Sequence, residues 1–136
     1  MNKPNPERQR LLRLALTANA LFSFTSGLFL CFASRLVVRL LGRPDESSLV
    51  SLGIGLVAFA IFLFVSARRQ VVSVPQARVI VLMDILWVVG SYVLLFVVPF
   101  APSGKWLIGV VAEFVLAFAI VQWLGIRKIS KGEQHA

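Results

Sequence analysis

The chain has 136 residues, 58% hydrophobic and only 15% charged, with a mean hydropathy of +0.85 and a formal charge of +8. A soluble domain of this size is roughly 45–50% apolar and about 25% charged, so the composition excludes that class and points to a membrane. One cysteine, Cys31, and one histidine, His135, exclude an intrachain disulfide, a CxxC redox pair, bis-histidine haem and a histidine-based zinc site, and no cofactor or metal is expected.

The N-terminal stretch MNKPNPERQRLLR leads into the first apolar run, Leu11–Phe32. This run exceeds the 7–15 apolar residues usual in a signal peptide, and no A-x-A site follows it, so it is expected to be an uncleaved first span. SRLVVRLLG, Ser34 to Gly42, sets Arg35 and Arg39 four apart on one helical face. The spacing predicts a continuation of the first helix to Leu41, lying in the interface, with Gly42 as its left-handed cap. Arg35 and Arg39 are candidate contacts for anionic lipid. RPDESS, Arg43 to Ser48, then opens the second span, Leu49–Ala67, with Pro44 in the first turn and Asp45 and Glu46 complementing the positive helix end.

SVPQ, Ser73 to Gln76, starts the third span, Val79–Val98, in the same way. PFAPSGK, Pro99 to Lys105, is a short turn into the fourth, Trp106–Ile126. Each run is close to the ~20 residues needed to cross a ~30 Å hydrocarbon core as a helix. Short connections make neighbours antiparallel. The expected fold is therefore all-α, a transmembrane up-down-up-down four-helix bundle forming a single integral membrane domain over residues 1–136.

The basic residues sit at the ends of the apolar runs, where they set topology rather than bind nucleic acid. Lys3, Arg8, Arg10, Arg13, Arg68, Arg69, Arg78, Arg127, Lys128 and Lys131 fall on one side, against Arg35, Arg39, Arg43 and Lys105 on the other. The positive-inside rule then places both termini in the cytoplasm and the chain in the inner (plasma) membrane.

In lipid, small and polar residues mark helix contact faces. The stripes expected to turn inward are Ala15, Asn19, Ser23 and Ser26 with Gly27 in the first span, and Ser51, Gly55 and Ala58 in the second. In the third they are Asp84, Trp87 and Ser91, and in the fourth Gly109, Glu113 and Ala117. Phe24, Phe29, Phe62 and Phe64 are left to face lipid, and Trp106 and Trp123 mark the two interfaces of the fourth span.

Two acids stand out. Asp84 interrupts VIVLMDILWVVG, and Glu113 lies about seven residues, or roughly 10 Å, past Trp106. Asp84 has two partners within reach on the first span, Asn19 and the long-stemmed Arg13, and a clasp of helix 1 on helix 3 is expected. Glu113 has no basic residue nearby. It is a hydrogen-bond donor to a neighbouring helix or a proton-exchanging group. Asp84, Glu113, Asn19, Trp87 and Ser91 are thus the candidate polar core or ligand site.

LLRLALTANALFSFTSGLFL at the start, ARVIVLMDILWVVGS in the third span and FVLAFAIVQWLGIRK at the end resemble small uncharacterised bacterial four-helix inner-membrane proteins. That resemblance implies the fold and no activity. In length and span number the chain also resembles small multidrug-resistance exporters. Those carry an essential glutamate in the first helix within a glycine-containing motif, whereas the first span here has Asn19 and no acid, so that residue is not carried over.

Three functions come into question. The first is a non-enzymatic accessory, scaffold or lipid-interacting bundle, whose partners are membrane lipids and a membrane protein or further copies of itself. The second is a small proton-coupled transporter using Glu113 or Asp84. The third, a membrane isomerase, needs acid and base near one substrate atom, and these acids are too far apart along the membrane normal. The first is expected.

Overall fold

The computed structural model describes residues 5–42 and 45–134 and is helical nearly throughout. Helix α1 runs Pro6–Phe32, α2 Ser34–Leu41, α3 Glu46–Arg68, α4 Val74–Val97 and α5 Pro102–Gln134. The four longer helices, α1, α3, α4 and α5, are long and apolar enough to cross a membrane. The architecture is an all-α bundle of four antiparallel helices, that of a small polytopic membrane protein.

Local signals start each helix. Asn5 accepts a hydrogen bond from the Glu7 amide with Pro6 in the first turn of α1. The Asp45 carboxylate accepts from the Ser48 amide at α3, and the Ser73 hydroxyl from the Gln76 amide at α4. Such caps occupy amide groups that the first helical turn leaves without carbonyl partners.

One expected continuity fails. The first helix breaks at Ala33, with φ −113° and ψ 24°, and α2 begins as a separate helix. There is no proline or glycine at the break. Instead the Ser34 hydroxyl donates to the Glu46 carboxylate at 2.9 Å, and Val37 turns inward while Arg35 and Arg39 stay exposed. An eight-residue segment with one apolar and one basic face is satisfied better across the end of the bundle than along its axis. Gly42 ends α2 in the left-handed conformation, φ 74°. Beyond it Arg43 and Pro44 lie outside the described residues. The Leu41 carbonyl accepts from the Ala101 amide at 3.0 Å, and the Leu40 carbonyl from the Ser103 hydroxyl at 2.6 Å, so α2 is tied to the turn between α4 and α5.

Around the bundle, α1 packs on α3 and on α5, α5 packs on α4, and the seam between α3 and α4 is the loosest. The backbones of α1 and α4 face each other across the axis without close approach. The main cluster of buried apolar residues is in the half that holds both described chain ends, here called the terminal half. Leu12, Leu16, Leu63, Ile80 and Ile126 are at most 1% exposed there, and Gly125 lets α5 lie directly on the Leu12 backbone. Arg13 fastens this end. Its guanidinium donates to the Ala67 and Gln70 carbonyls and to the Gln9 side chain, and Gln9 accepts in turn from the Val72 amide. A cation on the last carbonyls of α3 complements that helix end.

Two of the expected inward stripes point the other way. Ser51, Gly55 and Ala58 are exposed on α3, whose inner face is Gly53, Ala60, Leu63, Ser66 and Ala67. On α5, Glu113 and Ala117 are exposed and Gly109 is half-buried, while Ala112, Val115, Ala119, Gln122, Gly125, Ile126 and Ile129 turn inward. Close backbone approach decides both rotations. A side chain on Gly53 would meet the Gly27 carbonyl at 2.7 Å, and one on Gly125 the Leu12 Cα at 3.0 Å, whereas Gly55 and Gly109 have nothing within 4 Å.

Candidate functional site

Four buried polar residues gather at mid-bundle. Asn19 and Ser23 come from α1, Asp84 from α4 and Gln122 from α5, and all four are buried. Asn19 Nδ2 donates to Asp84 Oδ2 at 2.8 Å, and Ser23 Oγ donates to Asn19 Oδ1 at 3.2 Å. The asparagine is thereby oriented by its own helix to present its amide N–H to the carboxylate. Of the two partners within reach of Asp84, Asn19 is the one engaged, since Arg13 is held at the end of α3.

Gln122 is the residue that sequence reasoning passed over. It is fully buried beside Asp84, its amide directed at the carboxylate at longer reach than a well-formed hydrogen bond. Its signal was available. Between Glu113 and Arg127, Gln122 is the one amide in an apolar run, which is the same anomaly that drew attention to Asp84.

Toward the α2 end, the cluster adjoins a cavity of about 100 Å³. Ser23 and Trp87 line it together with Phe22, Phe59 and Met83. The Trp87 indole N–H is buried without a partner. Ser91 is buried one turn further on, but its hydroxyl donates to the Trp87 carbonyl of its own helix at 2.8 Å. It therefore adds no polar contact between helices.

Glu113 does not belong to this core. It stands on the outer surface of α5 and accepts a hydrogen bond from the hydroxyl of Tyr92, the chain's single tyrosine, on the outer surface of α4. The rotation of α5 that buries Ala112 and Gln122 carries Glu113 outward. Around this pair Lys105, Trp106, Gly109, Val110 and Phe114 line a shallow groove of about 390 Å³. The two acids thus lie on opposite sides of the helix wall, one facing the bundle axis and the other away from it. They do not line a common path.

Of the two arginines of α2, Arg35 lies 3.6 Å from the Glu46 carboxylate in a solvent-accessible ion pair, and Arg39 stands exposed beyond it. Among the described residues no three His, Cys, Asp or Glu side chains come together as a metal-binding group. No protein-family model, curated protein or solved structure matches the chain.

Proposed function

We propose that the chain is a non-enzymatic accessory protein of the bacterial inner membrane, whose α4/α5 face receives one transmembrane helix of a partner protein. The observation that carries this is the Tyr92–Glu113 pair on the outside of the bundle. A carboxyl group facing hydrocarbon is costly, about 2.5–3.5 kcal/mol for an aspartate at the centre of a span on insertion scales. A partner helix that brings a basic or amide side chain to that depth removes the exposure. Gly109, with nothing within 4 Å of its missing side chain, leaves room for the partner's backbone beside the pair. Among the described residues Glu113 makes no ion pair, so complementarity favours a basic residue on the incoming helix.

A photo-crosslinking residue at Val110, which lines the groove, tests this in intact membranes. The expected result is a heteromeric adduct mapping to a membrane segment with a basic residue. Adduct formation is lost in Glu113→Leu and on replacing the partner's basic residue, and is absent with the crosslinker at Ile61 on α3. An adduct of twice the chain mass, or adducts to lipid alone, overturns the assignment.

Both termini are proposed to be cytoplasmic, on the positive-inside argument. In a Cys31→Ala background, cysteine at Ser103 is expected to react with an impermeant maleimide added to cells with a permeable outer membrane, and cysteine at Lys131 to react only after lysis. The reverse pattern inverts the topology.

A second reading, a small proton-coupled transporter, is favoured by one observation, the Asp84 carboxylate on the bundle axis next to a cavity. In that reading Asp84 alone carries the proton, since Glu113 lies outside.

A further inference from the structure

The cavity beside Trp87 lies at the depth of the bilayer centre. Trp87 stands ten residues before the end of α4 at Val97 and thirteen after its start at Val74, or about 15 and 20 Å from the two helix ends. All four long helices contribute to the cavity wall, which includes no charged side chain. Three of the lining residues are aromatic, Phe22, Phe59 and Trp87. Phe22 is braced from behind, with Phe114 stacked on it and Phe118 tilted against it, each at 5.5 Å between ring centroids. Met83 alone among the lining residues is exposed, at 45%. It belongs to α4, whose contact with α3 is the loosest seam of the bundle. The cavity therefore opens sideways between α3 and α4, toward hydrocarbon rather than toward water, with a flexible thioether at its mouth.

The Trp87 indole supplies the second observation. Its N–H is buried with no partner among the described residues. An indole is a donor only, and buried donors are ordinarily satisfied, so this one calls for an acceptor. Water is a poor candidate, because it needs two to four polar partners and only Ser23 and Ser26 add polar atoms to the wall. A phospholipid is a poor candidate too. Its ester carbonyls sit at the edge of a ~30 Å hydrocarbon core, and its chains hold no acceptor at this depth. The acceptor has to arrive on a molecule dissolved in the hydrocarbon itself. The size limits it further. An apolar cavity of roughly 150 Å³ takes up benzene, so about 100 Å³ open on one side takes a single ring that projects at the mouth.

We infer that this cavity binds the ring of a neutral, lipid-soluble carbonyl compound, a cyclic or aryl ketone or a quinone, which enters from the bilayer between α3 and α4 and accepts a hydrogen bond from Trp87 Nε1. A flat ring suits walls made by Phe22 and Phe59. An uncharged ligand suits a wall without an ionised group, since a charge there would lack a partner. The site is independent of the α4/α5 docking face, so either assignment stands or falls alone.

The test follows the three indole N–H signals of the isotope-labelled full chain by NMR in detergent. Trp106→Phe and Trp123→Phe, both at exposed positions, identify the Trp87 signal by elimination. The probes are acetophenone, a ring with a carbonyl, and ethylbenzene, a similar shape without the oxygen. Acetophenone is expected to move the Trp87 proton downfield saturably. Ethylbenzene is expected to give no downfield shift, and to reverse the acetophenone shift by competition. Val111→Phe, which fills the cavity from α5, is expected to abolish the response. A Trp87 signal that acetophenone leaves in place overturns the inference. So does one that moves equally with both probes, or moves without saturation in step with Trp106 and Trp123, as partition into detergent would produce. A response kept in Val111→Phe overturns it as well, and where that variant does not fold the two probes on the native chain decide.

Discussion

Gly53→Leu is expected to yield no folded bundle, and Gly53→Ala a bundle with a lower Tm. The cause is the crossing of α1 and α3, the most extensive helix contact in the molecule. A Cβ on Gly53 would stand 2.7 Å from the Gly27 carbonyl oxygen and 2.8 Å from Cys31 Sγ, and a Cβ on Gly27 would stand 2.7 Å from the Gly53 carbonyl oxygen. Both obstacles include main chain, which has no rotamer by which to withdraw. Overpacking of this kind costs about 1–3 kcal/mol for small additions. Alanine recovers up to ~1 kcal/mol through its higher helix propensity, which leaves Gly53→Ala a net loss of one or a few degrees in Tm. Leucine adds three further carbons in a place where the helices touch. The control lies two residues away. Gly55→Ala meets nothing within 4 Å and keeps the propensity gain, so its Tm is expected to rise. Opposite signs at Gly53 and Gly55, read by thermal unfolding in detergent, report the rotation of α3 directly. Equal responses at both positions would place the α1–α3 contact elsewhere.

That rotation was the part of the fold least legible in the residues. Length and apolar content mark the four spans, because a helix in lipid needs only enough apolar residues to cross. Rotation about the helix axis is another matter. In water the polar face of a helix shows which way it turns, but in lipid both faces are apolar. α3 carries two sets of small residues, Ser51, Gly55 and Ala58 on one side and Gly53, Ala60 and Ala67 on the other. Only the reciprocal glycine on α1 distinguishes them, and that is a property of a pair rather than of a segment.

On α5 the small and polar stripe Gly109, Glu113 and Ala117 points inward on the sequence pattern alone. The helix instead buries Gln122 and leaves Glu113 outside with Tyr92. An amide is cheaper to enclose than a carboxylate, and Ala112, Ala119 and Gly125 on the Gln122 side allow closer packing than the Glu113 side offers. Asp84 was legible because its run is so uniformly apolar and because Asn19 lies on the small-residue face of α1, which does turn inward.

Asn19→Leu is expected to cost about 1–3 kcal/mol, the value of stripping the donor from a buried acceptor. Hydrogen bonds between membrane helices average about 0.6 kcal/mol and reach about 1.7. The Asn19–Asp84 bond should lie at or above the top of that range for two reasons. Its acceptor is a carboxylate with no counter-charge facing it, and Asn19 and Asp84 are 1% and 2% exposed, so water cannot replace the lost donor. The bond also adds a polar link to the apolar core that α1 and α4 share through Leu12, Leu16, Ile80 and Val81. The α1 and α4 backbones make no close approach, and this side-chain bond reaches across the axis between them. Asp84→Leu alone should also lower Tm, since it leaves the Asn19 amide facing an apolar group. The double variant Asn19→Leu/Asp84→Leu removes donor and acceptor together and replaces them with groups of similar size, which is close to neutral when a buried pair is removed whole. Its Tm should therefore lie above the sum of the two single losses, with a coupling of about 1.5 kcal/mol or more. A coupling near zero would mean that α4 is held by its apolar contacts alone. The 2.8 Å contact would then be a consequence of the packing rather than a cause of it.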